Sequence, residues 1–264
     1  MSKQLPAGLK ESLENSKAEY RQLGKSGLRV SVPIFGCMSF GDKRTLPWVI
    51  GEDEALPLLK AAYDRKAIKK YSIPRHKVVI LTKAHWAVGE EPEARHFVNR
   101  AEFEASKDYQ NNFGLSRTAL FNQVEASLQR LDTPYIDLLQ IHRFDARTPL
   151  EETMKALHEL VQSGKVRYIG ASSMWATQFA RLHGTSERDR EIVGRVVELA
   201  DKHGWAIAHV ALAWINRRVA SPIIGFSSVE RLDQALSARG KSLSEEEEKY
   251  LEELYQPKAI SGHA

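Results

Sequence analysis

Two residues of types that take part in proton transfer, Lys83 and His142, each stand at the end of an apolar segment. The segments, residues 78–83 and 135–142, have the run of Val, Ile and Leu that is typical of buried parallel strands. Active sites of parallel barrels lie at the carboxyl ends of the strands, which favours catalytic roles for both residues. The alternatives are a solvated lysine and a hydrogen-bonded structural histidine.

A second candidate site follows the apolar residues 223–225. Ser227 or Ser228 begins a helix there, and Arg231 lies one turn in. The free N–H groups and the dipole of a helix N-terminus attract anions, and an arginine can bind a phosphate with two hydrogen bonds. The pattern predicts a phosphate site; its alternative is a plain helix cap with Arg231 as a surface charge.

Other kinds of site find little support in the chain. Gly24-Lys25-Ser26 lacks the upstream glycine of a Walker phosphate loop. The nine histidines show no metal-ligand spacing, and a single cysteine, Cys37, excludes an intrachain disulfide and Cys-rich metal sites. No nucleophile with a neighbouring base stands out, so we expect neither a metal nor covalent catalysis.

The elements that must position these residues alternate between apolar strands and amphipathic helices, which indicates a parallel sheet. Strands are predicted at residues 32–36, 78–83, 135–142, 166–172 and 223–225. Helices are predicted at residues 53–65, 116–131, 149–164, 175–182, 187–203 and 206–218, and after the serines at 228 and 244. Ser116 and Ser244 are predicted helix caps, Thr148 to Glu151 a predicted capping box, and the apolar face of the 116–131 helix comprises Leu120, Val124, Leu128 and Leu131. No Gly-x-Gly-x-x-Gly follows any strand, which favours a (β/α)8 barrel of TIM type over a doubly wound fold. The sequence predicts only five of the eight strands that a closed barrel contains.

A long polar loop, residues 86–114, follows the strand that ends at Lys83. His85 and Trp86 stand at the start of this loop and either line a substrate pocket or pack within the loop. Residues 1–19 are predicted to be a mobile polar lead, and residues 20–264 to form a single domain.

Composition narrows the classes of partner. Lys plus Arg is 38 and Asp plus Glu is 34, and the basic residues are dispersed, so nucleic-acid binding is not expected. The N-terminus lacks the apolar core of a secretory signal, and the longest apolar stretch, residues 207–215, is too short to span a bilayer. We expect a cytoplasmic protein with a small-molecule substrate and leave its oligomeric state open.

Several segments resemble the aldo-keto reductases, in the order in which that family has them. The segments are YRQLGKSGLRVS (20–31), FGCMSFG (35–41), ILTK (80–83), LDTPYIDLLQIH (131–142), SGKVRYIGASS (163–173) and PIIGFSSVERL (222–232). They are similar to the family's opening hairpin and its first, third, fourth, fifth and last strands. The sequences of these segments are most similar to those of fungal members, including the versiconal hemiacetal acetate reductase-like group of secondary metabolism.

The resemblance implies a barrel that reduces an aldehyde or ketone with NADPH. In the family a Tyr hydroxyl supplies the proton, a Lys paired with an Asp eases proton release, and a His orients the carbonyl oxygen. Lys83 and His142 match this Lys and His, and the position of Arg231 favours NADPH over NADH. The positions that match cofactor contacts are Ser172, Ser173, Ile224, Gly225, Phe226, Ser227, Ser228, Arg231 and Gln234.

Two blocks of the family pattern have no counterpart in the chain. The first missing block is the family's second strand, whose Asp-Thr-Ala-x-x-Tyr motif contains the catalytic Asp and Tyr. In its place, the flanking segments join directly near residues 65–66, a junction here called a seam. A second seam, near residues 182–184, replaces the sixth and seventh strands with the Gln and aromatic residue that hold the nicotinamide. Tyr63, Tyr71 and Tyr168 have no spacing that predicts a replacement acid.

Three interpretations follow from these departures. The chain is an NADPH-dependent carbonyl reductase, or a catalytically inactive remnant that retains nucleotide or partner binding. The third interpretation is a splicing or gene-model product of a complete enzyme.

Overall fold

The computed structural model describes residues 5–15, 18–62, 74–172 and 187–255. Several predicted features lie outside these residues, namely Ser173, the helix predicted at 175–182, both predicted seams and the tyrosines at 63 and 71. The described residues belong to two compact units. One, here called the hairpin unit, draws on Met1–Gly41, Trp48–Ala67 and Phe179–Ala264, and the other, the sheet unit, draws on Asp42–Pro47 and Ile68–Gln178.

Strands and helices alternate through much of the described chain. The strands are β1 (Glu19–Gln22), β2 (Arg29–Val32), β3 (Ile34–Gly36), β4 (Leu81–Ala84), β5 (Ile136–Ile141), β6 (Val166–Ala171) and β7 (Ile223–Gly225). The α-helices are α1 (Ala7–Asn15), α2 (Glu52–Ala62), α3 (Arg100–Ala105), α4 (Arg117–Leu131), α5 (Leu150–Gln162), α6 (Glu187–His203), α7 (Ile207–Asn216), α8 (Val229–Leu236) and α9 (Glu245–Glu252).

The hairpin unit contains an antiparallel pair, β1 with β2, and a parallel pair, β3 with β7, in which Phe35 lies opposite Ile224. Its helices bury two apolar clusters. One joins α6, α7 and α9 through Leu199, Ala200, Val210, Ala213, Leu243 and Leu251. The other places Leu212, Phe226, Leu232, Ala235 and Ala238 against Phe35 and Ile224, so α7 and α8 pack beside the parallel pair.

The sheet unit contains three parallel strands in the order β4-β5-β6, with α4 and α5 as the connections between them. Both helices place apolar residues at spacings of three and four, which puts those residues on one face. The buried core contains Ala84, Leu115, Leu120, Val124, Leu128, Ile136, Leu139, Ile141, Ala156, Leu157, Leu160 and Val166. The last predicted member of the α4 face, Leu131, is exposed instead because α4 ends there and the chain turns away at Asp132, with φ of 48°.

The five predicted parallel strands are confirmed, in two separate parallel sheets of the described chain and without a closed barrel. The second predicted strand is shorter than expected. It begins at Leu81 because the N–H of Ile80 donates to the Asp137 side chain (2.8 Å). The helix caps at Ser116 and Ser244 are confirmed, the latter as a reciprocal capping box with Glu247.

Three other local predictions differ from the structure. The capping box expected from Thr148 to Glu151 is wrong: α5 begins at Leu150, so Pro149, which has no side-chain acceptor, is the N-cap, and the Thr148 hydroxyl donates to Asp145 (2.8 Å). The stretch predicted as a polar lead contains α1. The loop at 86–114 is not wholly irregular, since it contains α3 and a 3₁₀ turn, Lys107–Tyr109.

A half-buried ion pair joins the segment before β4 to β5 on the sheet unit. Arg75 donates to Asp137 (2.6 Å), to the carbonyl of Tyr135 (2.8 Å) and to the hydroxyl of Thr133 (2.7 Å). The guanidinium also lies 3.9 Å from the centre of the Tyr135 ring. Because the Asp137 carboxylate also accepts from the N–H of Ile80, one carboxylate holds both the arginine and the start of β4.

Candidate active site

Lys83 and His142 lie at the carboxyl ends of neighbouring strands. Lys83 lies on β4 opposite Gln140, and His142 follows β5, where its N–H donates to the carbonyl of Ala84 (2.8 Å). The structure therefore places both predicted residues at one edge of one sheet, as parallel pairing requires. Their catalytic roles stay a prediction.

The protonation state of His142 follows from its surroundings. Burial of the ring, and next the positive charge of Lys83, lower the pKa of His142 to about 4. The imidazole is therefore neutral near pH 7 and offers one N–H donor and one acceptor nitrogen. Lys83 itself is exposed, and it makes no ion pair with a carboxylate in the described part of the chain.

His85 and Trp86 stand directly beyond Lys83, and their rings lie near His142. The two rings meet edge to face at 4.4 Å, and the Trp86 ring lies 6.4 Å from that of His142. Burial lowers the pKa of His85 to about 4, against the opposing attraction of Asp145. The Trp86 ring also meets that of His96 at 5.2 Å, which shows packing within the loop. A role of this pair in lining a substrate pocket stays a prediction.

The residues after Trp86 form a small aromatic core of their own. His96 is 2% exposed, stacks on Phe103 (5.1 Å) and meets Phe113 edge to face (4.7 Å). Its Nδ1 accepts from the N–H of Ala87 (3.0 Å), so the neutral ring carries its proton on Nε2. That nitrogen has no hydrogen-bond partner among the described residues. Sequence reasoning missed His96, since a lone histidine in a polar loop carries no periodic signal.

Asp145, in the loop after β5, fixes the end of the 86–114 loop by hydrogen bonds. Its carboxylate accepts from the N–H of Leu115 (2.9 Å), the hydroxyl of Thr148 (2.8 Å) and the N–H of Arg147 (3.0 Å). Burial raises the pKa of Asp145, but these hydrogen bonds together outweigh burial and lower it below the ordinary value. Asp145 is therefore a structural anion beside the candidate site.

Gly114 is the residue that this arrangement constrains most. Its φ is +79°, and a Cβ placed on it would lie 2.8 Å from a carboxylate oxygen of Asp145. We expect Gly114→Ala to lower the free energy of unfolding by about 1 to 3 kcal/mol, because the change adds left-handed strain and a clash. Gly164→Ala is the matched control, since Gly164 has φ of +75° but open space around it. Equal urea midpoints for the two variants would contradict the predicted clash.

The predicted cofactor residues are divided between the two units. Ser172 belongs to the sheet unit, where its N–H donates to the carbonyl of Ile141 (2.9 Å) at the end of β6. The residues from 224 to 234 belong to the hairpin unit. Ile224 and Gly225 lie in β7, opposite residues of β3, and Phe226 is buried against Phe35.

The start of α8 has the features of an anion site. Ser228 is the N-cap, and its hydroxyl accepts from the N–H of Arg231 (3.3 Å), which decides between the two serines left open above. Ser227 and the side chains of Arg231 and Gln234 are exposed. The Arg231 guanidinium makes no ion pair with any described residue, so it fits a phosphate group placed at this helix start.

Comparison with known proteins identifies the family. The model of the aldo/keto reductase family matches residues 64–190 and 182–256. An aldo-keto reductase of Fusarium vanettenii and the aldo-keto reductase dtxS3 of Metarhizium robertsii are each 40% identical to this chain, over 98% of it and 97% of the relative. The versiconal hemiacetal acetate reductase of Aspergillus parasiticus is 34% identical, over 92% of this chain and 98% of the relative. The alignments with the first two extend over 359 positions, whereas this chain has 264 residues.

The chain belongs to the aldo-keto reductase family, a family of oxidoreductases that fold as (β/α)8 barrels. The parallel βα units of this chain are consistent with an incomplete form of that fold. Members of the family generally use NAD(P)H and small carbonyl substrates. Among the described residues, no helix has both the length and the apolarity needed to cross a membrane.

Proposed function

We propose that this chain descends from an NADPH-dependent reductase of aldehydes or ketones and keeps its carbonyl-orienting and phosphate-binding residues. The observation that carries the proposal is the placement of Lys83 and a neutral His142 at the carboxyl ends of two neighbouring strands. The exposed Arg231 at the start of α8 supports NADPH over NADH, because the 2′-phosphate is an additional anion to bind.

The chain's own residues can polarise a carbonyl group. A bound nicotinamide would supply the hydride. His142 donates its N–H to the carbonyl oxygen, and the Lys83 ammonium stabilises the negative charge that develops on that oxygen. Both groups raise the electrophilicity of the carbonyl carbon without giving up a proton.

We propose that the chain lacks a proton donor equivalent to the family's tyrosine. Tyr168 is a poor replacement because it pairs with Leu138, two residues before the level of Lys83 and Gln140. Two residues along a strand correspond to about 7 Å. This observation favours the second candidate function, an inactive remnant that retains nucleotide or partner binding.

We propose that residues 20–264 form a single domain. The comparisons support the absence of two blocks of the family pattern from this domain. The family match begins at residue 64, beside the first seam, and its two parts overlap at 182–190, beside the second. The alignments with the fungal relatives are longer than the chain, so those relatives contain residues without a counterpart here. Sequencing the transcript across the codons for Arg65 and Lys66, and for Leu182 and Gly184, separates a genuine deletion from a gene-model error.

Binding of NADPH is the direct test of the retained site. A ligand at one hundred times its dissociation constant stabilises the native state by about 2.7 kcal/mol, so we expect the thermal unfolding midpoint to rise with NADPH and less with NADH. Arg231→Met should abolish that difference between the two nucleotides. Arg190→Met, a change at an exposed arginine of α6, is the control. A midpoint unmoved by either nucleotide would refute the proposed cofactor site.

Two wider proposals accompany this function. A cytoplasmic location is supported by the single cysteine, which suits a reducing compartment. A role in fungal secondary metabolism is supported by the similarity to the versiconal hemiacetal acetate reductase.

A further inference from the structure

One side chain joins the two ends of the loop that follows Lys83. The N–H of His85 donates to Oε1 of Gln123 (2.7 Å), and Nε2 of Gln123 donates to the carbonyl of Gly114 (3.0 Å). The N–H of Gly114 donates in turn to the carbonyl of His85 (2.7 Å). Three hydrogen bonds thus form a closed ring, here called the clasp, around the two ends of the 86–114 loop.

The clasp uses both chemical ends of a carboxamide. Gln123 is half-buried on α4, next to the buried Val124. A glutamate would keep the acceptor for His85 but lose the donor for Gly114, and a methionine would lose both. The N–H of His85 and the carbonyl of Gly114 therefore both depend on the carboxamide of Gln123.

The clasp also determines where the next side chains lie. His85 is half-buried, with its ring against Trp86, and the Trp86 ring approaches His142. The same backbone segment continues from Lys83, so a shift at His85 moves groups on both sides of it. Across the loop, the N–H of Leu115, next to Gly114, donates to Asp145 (2.9 Å), so the far end has little freedom of its own.

We propose that Gln123 is a positioning residue, which through the clasp holds the His85–Trp86 wall of the substrate site beside Lys83 and His142. The positioning of the wall follows from hydrogen bonds of the sheet unit alone. Its consequence for a carbonyl ligand rests on the function proposed above.

Hydrogen exchange of the full chain tests the clasp without any assay of turnover. In Gln123→Met we expect the amide protons of His85 and Gly114 to exchange at least about tenfold faster than in the parent chain. Gln129→Met, the same substitution at an exposed position of α4, should leave both rates unchanged. In Gln123→Glu, which keeps the acceptor and the volume, His85 should remain protected, and this variant serves if Gln123→Met fails to fold.

An NMR titration of the imidazoles separates positioning from general stability. When the clasp opens, His85 gains solvent, so its pKa should rise from about 4 toward its ordinary value of about 6.5 in Gln123→Met but not in Gln129→Met. Unchanged exchange at His85 and Gly114, or an unchanged titration of His85, would overturn the proposal. The NADPH-induced shift of the parent chain is measured separately, so loss of the proposed function and loss of the clasp are distinguishable.

Discussion

Carbonyl reduction by this chain is expected to be about 10² to 10⁴ times slower than by a complete fungal relative, because general acid catalysis contributes about that factor. In the function proposed above, Lys83 and His142 polarise the carbonyl oxygen, and no tyrosine gives up a proton to it. The measurement is consumption of NADPH with an aromatic aldehyde, followed for this chain and for a complete relative at equal concentrations. A blank without aldehyde removes slow oxidation of the nucleotide.

The residual rate distinguishes an inactive remnant from an altered enzyme. If the chain is inactive, the double variant Lys83→Met, His142→Ala should show the same background rate as the parent chain. Reduction within about tenfold of the complete relative's rate, and lost in this double variant, would overturn the predicted loss of the proton donor. It would also show that another group supplies the proton.

Removal of the Asp137 carboxylate is the structural change with the largest expected effect. In Asp137→Ala the guanidinium of Arg75 loses its carboxylate partner and keeps only neutral acceptors, and the N–H of Ile80 loses its acceptor, both in a half-buried setting. Breaking one side of a buried ion pair costs about 3 to 5 kcal/mol, so we expect the free energy of unfolding to fall by up to that amount. Urea unfolding followed by circular dichroism measures the change.

A double variant provides the control for this prediction. Removing both charges, in Arg75→Met with Asp137→Leu, leaves no unpaired ion, so it should cost clearly less than Asp137→Ala alone. The Ile80 N–H still lacks its acceptor in the double variant, so the part of the loss in unfolding free energy that comes from this N–H remains. Equal losses for the single and double variants would mean that the ion pair has no energetic role.

The sequence by itself determined the elements of this protein and the neighbourhood of its candidate site. Strands and helices follow from local periodicity, and the Ser116 and Ser244 caps follow from side chains that bond within one turn. The closeness of Lys83 and His142 also followed from sequence, because parallel pairing brings the ends of neighbouring strands together.

Tertiary structure alone decided which distant groups bond to one another. Gln123 and His85 are 38 residues apart, and Arg75 and Asp137 are 62 apart, so no spacing rule connects them. The capping box predicted at Thr148 failed because α5 begins at Leu150, so Pro149, which has no side-chain acceptor, is the N-cap. The Thr148 hydroxyl donates instead to Asp145, whose carboxylate is fixed by the N–H of Leu115 from another part of the fold.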